Sequence, residues 1–347
     1  MLNVAIIGAT GYSGQELIRI LLAHPMVRLK YLASRSYVGE SIKDIYRNFS
    51  DYDFSGAEIC VEEDIEHFSK ECDVIFLALP HGIASEKVTL SVLNRCKVID
   101  LGADFRLNDV ATYEEWYKVK HHGETLLSKA VYGLPELFRE KIKGSNLIAN
   151  PGCYATCSIL SLAPFVKGNV IDNASIIIDA KSGTSGAGRS AVTSNLFCEV
   201  NENFKAYKIA SHRHTPEIEQ VLELQGPIIF TPHLLPINRG ILTTIYAKLK
   251  DKNMTQENLK QMAKDFYKDD RFVRIIDGTE SAEIRWVKAS NFFDMNIFKD
   301  NRTNRIVITS ALDNLVKGAA GQAVQNMNLL FGYKEDTGLT NLGVFPS

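Results

Sequence analysis

One N-terminal stretch restricts the fold of this chain more than any other. Val4-Ala5-Ile6-Ile7 is an unbroken apolar run, the pattern of a parallel strand buried on both faces. It passes directly into Gly8-Ala9-Thr10-Gly11-Tyr12-Ser13-Gly14 and then into Gln15 to Leu22, where apolar residues recur at helical spacing. A strand, a glycine loop and a helix in that order bring the outward-facing N–H groups of a helix N-terminus to a phosphate. The GxxGxxG spacing is a variant of the dinucleotide fingerprint, whose glycines permit a tight turn, close approach of a pyrophosphate and close packing of the helix. A glycine loop alone also fits a purely structural turn. Its place between a buried strand and a helix favours dinucleotide binding, which puts Gly8, Thr10, Gly11, Tyr12, Ser13 and Gly14 at the cofactor.

At 347 residues the chain exceeds one ordinary core, which predicts two domains. A formal charge of -2 gives no bulk attraction to nucleic acid or to an anionic membrane, so the expected partner is a small molecule. Cysteines at 60, 72, 96, 153, 157 and 198 form neither a dense disulfide framework nor a zinc-spaced pair, and a reducing compartment without a metal is expected. No basic leader precedes the first strand and no apolar run approaches membrane length; the expectation is a cytoplasmic protein.

The next strand, Arg28 to Ala33, ends at Ser34-Arg35-Ser36, where an NAD enzyme would carry Asp or Glu for the ribose hydroxyls. No carboxylate stands there. Two hydroxyls and a guanidinium suit a 2′-phosphate, so Ser34, Arg35 and Ser36 predict NADP rather than NAD. Buried-type strands at 72–79 and 97–101 end at Pro80-His81-Gly82 and at Gly102-Ala103-Asp104-Phe105-Arg106. Ligands of an open parallel sheet gather at the carboxyl ends of its strands, which places Leu79 and Pro80 at the cofactor and leaves His81 as a shape element or a chemical group. Asp104 and Arg106 fit either an anion clamp or an ion pair that fixes the loop. Residues 40–71, with Glu62-Glu63-Asp64, read as surface helix and an added hairpin; 108–129, with His121-His122, reads as exposed loop.

A second cluster of signals begins at Asn146 to Ala149, the last expected strand of this half. Asn150-Pro151-Gly152 breaks it, and Tyr154 to Val166 is apolar enough for a buried helix. Cys153 then falls in a helical first turn, where the positive end of the dipole favours a thiolate. From this stretch alone a buried structural cysteine is the alternative. Cys157, one turn further along the same face, is expected in the core. Lys181 to Arg189 is too glycine-rich for helix or strand: its backbone N–H groups and Arg189 make an anion nest, or it is a flexible surface loop. His212-Arg213-His214 precedes Thr215-Pro216, which reads as N-cap and first helical position. Imidazoles titrate near neutrality, so two of them beside a candidate thiolate make an acid/base set. Strands at 174–180, 234–246, 284–287 and 305–309 predict a largely antiparallel sheet, where Arg239 reaches substrate or closes a turn. A small-residue helix over 313–328 is expected to return to the first domain with Asn314 and Gly318 at the cofactor.

Gly8 to Gly14, Asn150-Pro151-Gly152-Cys153-Tyr154, Ser182 to Gly188, His212-Arg213-His214-Thr215-Pro216-Glu217 and Asp313-Asn314-Leu315 follow one another over essentially the whole chain. In these motifs the chain resembles the N-acetyl-γ-glutamyl-phosphate reductases of arginine biosynthesis, apart from an acidic insertion around Glu62. The resemblance implies an α/β architecture of the aspartate-semialdehyde and glyceraldehyde-phosphate dehydrogenase type. That means a Rossmann NADP-binding domain over 1–149, completed by a C-terminal helix 312–347, and an α+β catalytic and oligomerisation domain over 150–311 with a largely antiparallel sheet. A homo-oligomer, dimer or tetramer, is implied as well. So is NADPH-dependent reduction of the acyl phosphate to a semialdehyde through a thioester on Cys153. His212 would serve the hemithioacetal oxygen, with His214 and Glu217 as orienting or substrate-binding partners, although the residues do not rank the two histidines. Ser182, Gly183, Ser185, Gly186, Asn314 and Gly318 would join the cofactor set, and Arg106, Asn150, Arg189 and Arg239 would meet substrate. An aminoadipyl or aspartyl phosphate is the alternative substrate, and an NADP sensor without chemistry the alternative function.

Overall fold

The computed structural model describes residues 1–346, which form two compact units: 1–151 with 319–340, and 152–318 with 341–346. The first unit is built on six strands, β1 (Leu2–Ile7), β2 (Val27–Ala33), β3 (Val74–Leu77), β4 (Lys97–Asp100), β5 (Ala130–Tyr132) and β6 (Leu147–Ala149). They pair in the order β2-β1-β3-β4-β6-β5, and every pair is parallel. The apolar run of each central strand is what such a sheet requires, since both faces are covered: Val74, Ile75, Phe76 and Leu77 are all fully buried. Each such side chain contributes roughly 1.5–3 kcal/mol of burial. On one face Ala5, Ile7, Ile75, Leu77 and Val98 pack against Phe68, Val88 and Val92.

The helix Gly321–Leu330 completes this unit, and all ten of its residues are buried. Its polar side chains explain how such a helix is tolerated. Asn326 donates to Gly133 O and to Asn150 Oδ1, and Asn328 donates to the carbonyls of Glu335 and Thr337. Position 133 must be glycine, because a Cβ there would stand 2.4 Å from Asn326 Nδ2.

Strand β5 is followed by a helix, Pro135–Lys143. Two expectations for this unit change. Residues 108–129 are exposed in large part, as expected, but are not all loop: Asp109 caps the helix Val110–Tyr117 through Thr112 N, a short helix follows at Glu124–Leu127, and His121 is buried with its Nε2 2.7 Å from Asp104 O. The segment 40–71 carries short helices and isolated bridges, Ala33 to Val61 and Ser41 to Ile59, in place of a hairpin.

The second unit is a seven-stranded sheet of β7 (Ile171–Gly183), β8 (Lys205–Ala206), β9 (Ile229–Leu235), β10 (Ile241–Leu249), β11 (Val273–Ile275), β12 (Phe293–Asp300) and β13 (Arg305–Leu312). The order is β11-β12-β13-β10-β7-β9-β8, antiparallel except for β11 with β12 and β7 with β9. The helix Cys153–Lys167 lies on its centre, with Tyr154 to Phe165 buried throughout. β10 alternates as a strand covered on one face does, with Ile241, Thr243, Ile245 and Ala247 buried and Leu242, Thr244 and Tyr246 half-buried.

Ile284–Trp286, expected as strand, is a 3-10 turn whose backbone closes on itself, Val287 N and Lys288 N both donating to Ile284 O. The helix expected over 313–328 is also interrupted. Asp313 Oδ1 accepts from the N–H groups of Leu315 and Val316, and Val316–Ala320 winds as a π-helix before Gly321. The expected completion of the first domain by 312–347 narrows to 319–340. The tail turns to the second unit, where Val344 N donates to Lys288 O and Phe345 packs edge-on against Trp286. Ser347, at the end of that expected range, lies outside the described residues.

Candidate active site

The glycine loop divides its labour. Gly8 has φ 89°, and a Cβ there would lie 2.2 Å from Ala78 O; on Gly14 it would lie 2.2 Å from Gly8 O. Both glycines are therefore demanded by packing. Gly11 meets only Gly8 O, at 3.5 Å, and N-caps the helix Tyr12–Leu22 with no side chain bonded to the first-turn N–H groups. This open side is able to take a pyrophosphate. Thr10 Oγ1 and Ser34 Oγ are 2.8 Å apart, and Tyr46 OH donates to Thr10 O, so the loop is tied to the end of β2. Ser36 is exposed beside Arg35, whose Nε lies 2.9 Å from Glu63 Oε1. Leu79 belongs to the hydrophobic core, while Pro80 is exposed.

Further along this unit Asp104 and Arg106 both take part in internal hydrogen bonds. Asp104 accepts hydrogen bonds from Gly82 N, Ser85 N and Tyr113 OH and so builds the loop after β3. Arg106 donates through Nε to Asn150 O and through Nη2 to Leu101 O. Asn150 donates to Ala319 O and accepts from Asn326. Arg106 and Asn150, both expected at substrate, also hydrogen-bond within the turn before Gly152. His81 lies edge-on to Tyr117, with ring centroids 4.9 Å apart.

Cys153 is the first residue of its helix, behind the N-cap Gly152, and is partly exposed. Gly152 N donates to Glu217 Oε1 at 2.8 Å, and Glu217 is wholly buried. A Cβ on Gly152 would stand 2.3 Å from His214 Nε2, so the imidazole lies directly on the backbone that leads into the cysteine. On another side a Cβ on Gly318 would be 2.8 Å from Cys153 Cβ. Gly318, expected at the cofactor, lets the chain pass the cysteine. His214, one residue earlier than the expected Thr215, is the N-cap of the helix Thr215–Val221.

The two histidines differ in surroundings. His212 is 8% exposed; burial, with Lys208 and Arg213 adding their charge, pushes its imidazole down to about 3. It accepts His214 N–H on Nδ1 at 3.2 Å, which leaves the proton of the neutral ring on Nε2. The rings stand edge-on with centroids 4.8 Å apart. Tyr154 walls both, at 5.5 and 6.0 Å, while its hydroxyl donates to His233 O and receives a longer bond from Tyr207 OH. Tyr154 and Tyr207 had no role in the sequence reading; the place of Tyr154 next to the cysteine was the available signal. Cys157 is wholly buried against Thr243 and Ser310, and burial pushes its thiol up to about 12.

The glycine-rich loop is less open than its composition suggests. Gly183, Thr184 and Ser185 donate their N–H groups to Gly240 O, Ile237 O and Asn238 O, so these three are unavailable to an anion. Ser182 Oγ turns to Gly183 O, and Gly186 lies in the 3-10 turn Thr184–Ala187. Asn314, expected at the cofactor, accepts from Gly240 N and donates to Ser185 Oγ, linking both loops. Arg239 stands 3.6 Å from the buried Asp313, and Arg189 is exposed. Among the described residues no cluster of ligating side chains could hold a metal, and no helix is long and apolar enough to cross a membrane.

A parallel sheet with a glycine loop, and a mixed sheet whose buried helix opens on a cysteine beside an imidazole, define a protein of the semialdehyde dehydrogenase class. Family descriptions agree: "Semialdehyde dehydrogenase, NAD binding domain" matches residues 3–145 and "Semialdehyde dehydrogenase, dimerisation domain" matches 153–314. The chain is 51% identical to an N-acetyl-γ-glutamyl-phosphate reductase of Lachnoclostridium phytofermentans, with 100% of each chain covered. It is 50% identical to one from Campylobacter jejuni over 97% of this chain and 98% of that one. The chain belongs to the N-acetyl-γ-glutamyl-phosphate reductase family. Among solved structures, aspartate semialdehyde dehydrogenase II from Vibrio cholerae shares the fold with a TM-score of 0.71 at 17% identity, covering 96% of this chain and 99% of that one. The Candida albicans aspartate semialdehyde dehydrogenase with NADP does so at 0.67 and 16%, covering 95% and 98%.

Proposed function

We propose that the chain catalyses NADPH-dependent reduction of N-acetyl-L-glutamyl 5-phosphate to N-acetyl-L-glutamate 5-semialdehyde and phosphate, in arginine biosynthesis. The observation that carries this reading is Cys153 at a helix N-terminus with His214 packed on Gly152, in a chain half-identical along its length to reductases of that name. The dinucleotide is NADP, held by the open face of Gly11 and the first turn after it, with Arg35 at the 2′-phosphate.

Cys153 attacks the acyl carbonyl as thiolate; its S–C bond forms, the bond to phosphate oxygen breaks, and a thioester remains on the enzyme. NADPH, when bound, would supply the hydride that reduces the thioester carbon. The N–H groups of the helix's first turn face the oxygen that becomes negative. His214 is the group for that oxygen's proton, because its ring lies on Gly152 while His212 stays neutral and receives the His214 N–H. Glu217 fixes Gly152 and with it the start of the helix. Collapse of the hemithioacetal breaks the S–C bond, frees the aldehyde and restores the thiolate. Arg189 is the cation offered to the substrate's anionic end, and Arg239 closes its turn against Asp313. The active form is a homo-oligomer, a cytoplasmic enzyme with a small-molecule substrate.

The test is phosphate-dependent reduction of NADP with N-acetylglutamate 5-semialdehyde, run beside aspartate and aminoadipate semialdehydes. Turnover is expected with the first, and Cys153→Ala is expected to abolish it while NADPH still binds. Preference for another semialdehyde would overturn the substrate, and appreciable turnover in the variant would overturn the covalent route.

A further inference from the structure

The acidic stretch Glu62-Glu63-Asp64 lies outside every motif used so far. It runs beside the end of β2, where Val61 bridges Ala33 in parallel and accepts Ser34 N–H at 3.1 Å. This places Glu63 next to Arg35, with the carboxylate side chain 7% exposed and the arginine side chain 55% exposed. Arg35 Nε lies 2.9 Å from Oε1 and its Nη2 donates to Oε2 at 3.2 Å. Lys87, at the end of the short helix Ala84–Lys87, brings its Nζ to the same Oε2, also at 3.2 Å.

One nearly buried carboxylate therefore holds two cations at a single oxygen. The carboxylate thus draws the Arg35 and Lys87 side chains together at this corner of the sheet. Turning Nε and Nη2 of Arg35 toward Glu63 leaves the remaining guanidinium edge for another acceptor, because the group presents five N–H donors in a rigid fork. Unheld, the two long side chains would repel one another and sample many rotamers. We propose that Lys87 is a second cation for the 2′-phosphate of the cofactor, and that Glu63 is the positioning residue that sets Arg35 and Lys87 around it. This rests on the NADP reading above, and it gives the acidic segment a role in cofactor selectivity.

Calorimetry on the full chain with 2′,5′-ADP and with 5′-AMP, which differ by the 2′-phosphate, separates the possibilities. The wild-type chain is expected to bind 2′,5′-ADP more tightly. Lys87→Gln and Arg35→Gln should each weaken 2′,5′-ADP about tenfold, the size of one charge-assisted contact, and leave 5′-AMP unchanged. Glu63→Gln should weaken 2′,5′-ADP in the same way and add nothing in an Arg35→Gln, Lys87→Gln background. Equal binding of the two nucleotides by the wild-type chain would overturn the NADP reading and the inference with it. Loss in Arg35→Gln with none in Lys87→Gln would overturn the inference alone, as would parallel weakening of both nucleotides in Lys87→Gln. Tighter 2′,5′-ADP binding by Glu63→Gln would overturn the positioning role.

Discussion

His212 and His214 stand two residues apart and differ in what each can do with a proton. The imidazole of His212 is held down to about 3 by burial, then by Lys208 and Arg213, so near neutrality it has no proton to give as imidazolium. His214→Asn is expected to lower kcat by about 10²–10³-fold and His212→Asn by much less; equal losses in steady-state assays would remove the distinction. The same burial sets a pH dependence of stability. Between the ordinary value of 6.5 and about 3, the unfolded chain binds a proton at position 212 that the folded chain refuses. The stability contributed by the neutral ring is whole above pH 6.5 and declines as the pH falls through that window. Urea midpoints measured from pH 7 to pH 4 should fall less steeply for His212→Gln than for the wild-type chain. Residue identities were legible here, since thiol, imidazoles and carboxylate all stand in recognisable motifs. Their ranking was not, because it depends on which ring is buried and which ring lies on Gly152.

The N-terminal end of the helix Cys153–Lys167 is shaped by two glycines that no helical propensity would select. Gly152 gives room to the His214 ring and Gly318 to Cys153 itself. Gly152→Ala introduces a methyl 2.3 Å from Nε2, so the imidazole must move. A fall in kcat of tenfold or more is expected with the Kd for NADPH unchanged, a combination readable from kinetics and a binding titration. An unchanged kcat would show that His214 has no fixed post beside the cysteine. Strand and helix positions were mostly legible from apolar periodicity, as in β1, β3 and β10. The exceptions share a cause. Ile284–Trp286 carries strand-like residues yet turns on its own carbonyls, and the N–H groups of Gly183 to Ser185 are taken by the segment 237–240. Partners distant in sequence made those choices.

Across the molecule, the seven-stranded sheet shows two unlike faces. Ile178, Ile245 and Ile308 align across β7, β10 and β13 on the buried side, where the cysteine helix lies. Ile177, Tyr246 and Val307 align in the next register row and are only half-buried. An oligomer interface on this row predicts that Ile177→Lys or Val307→Lys shifts the mass from light scattering toward the monomer. An unchanged mass in both would place the interface elsewhere. Sequence alone determined the class of each layer and singled out the glycine loop and Cys153 as candidates, because these rest on local spacing: a buried strand into glycines, a helix begun by a cysteine. Only the tertiary structure decided that Arg106, Asn150 and Asn314 are engaged within the protein, that Glu63 gathers Arg35 with Lys87, and that His214 is the ring at Gly152. Hydrogen bonds and ion pairs between residues tens to hundreds of positions apart are fixed by packing, and packing leaves no periodic trace in the chain.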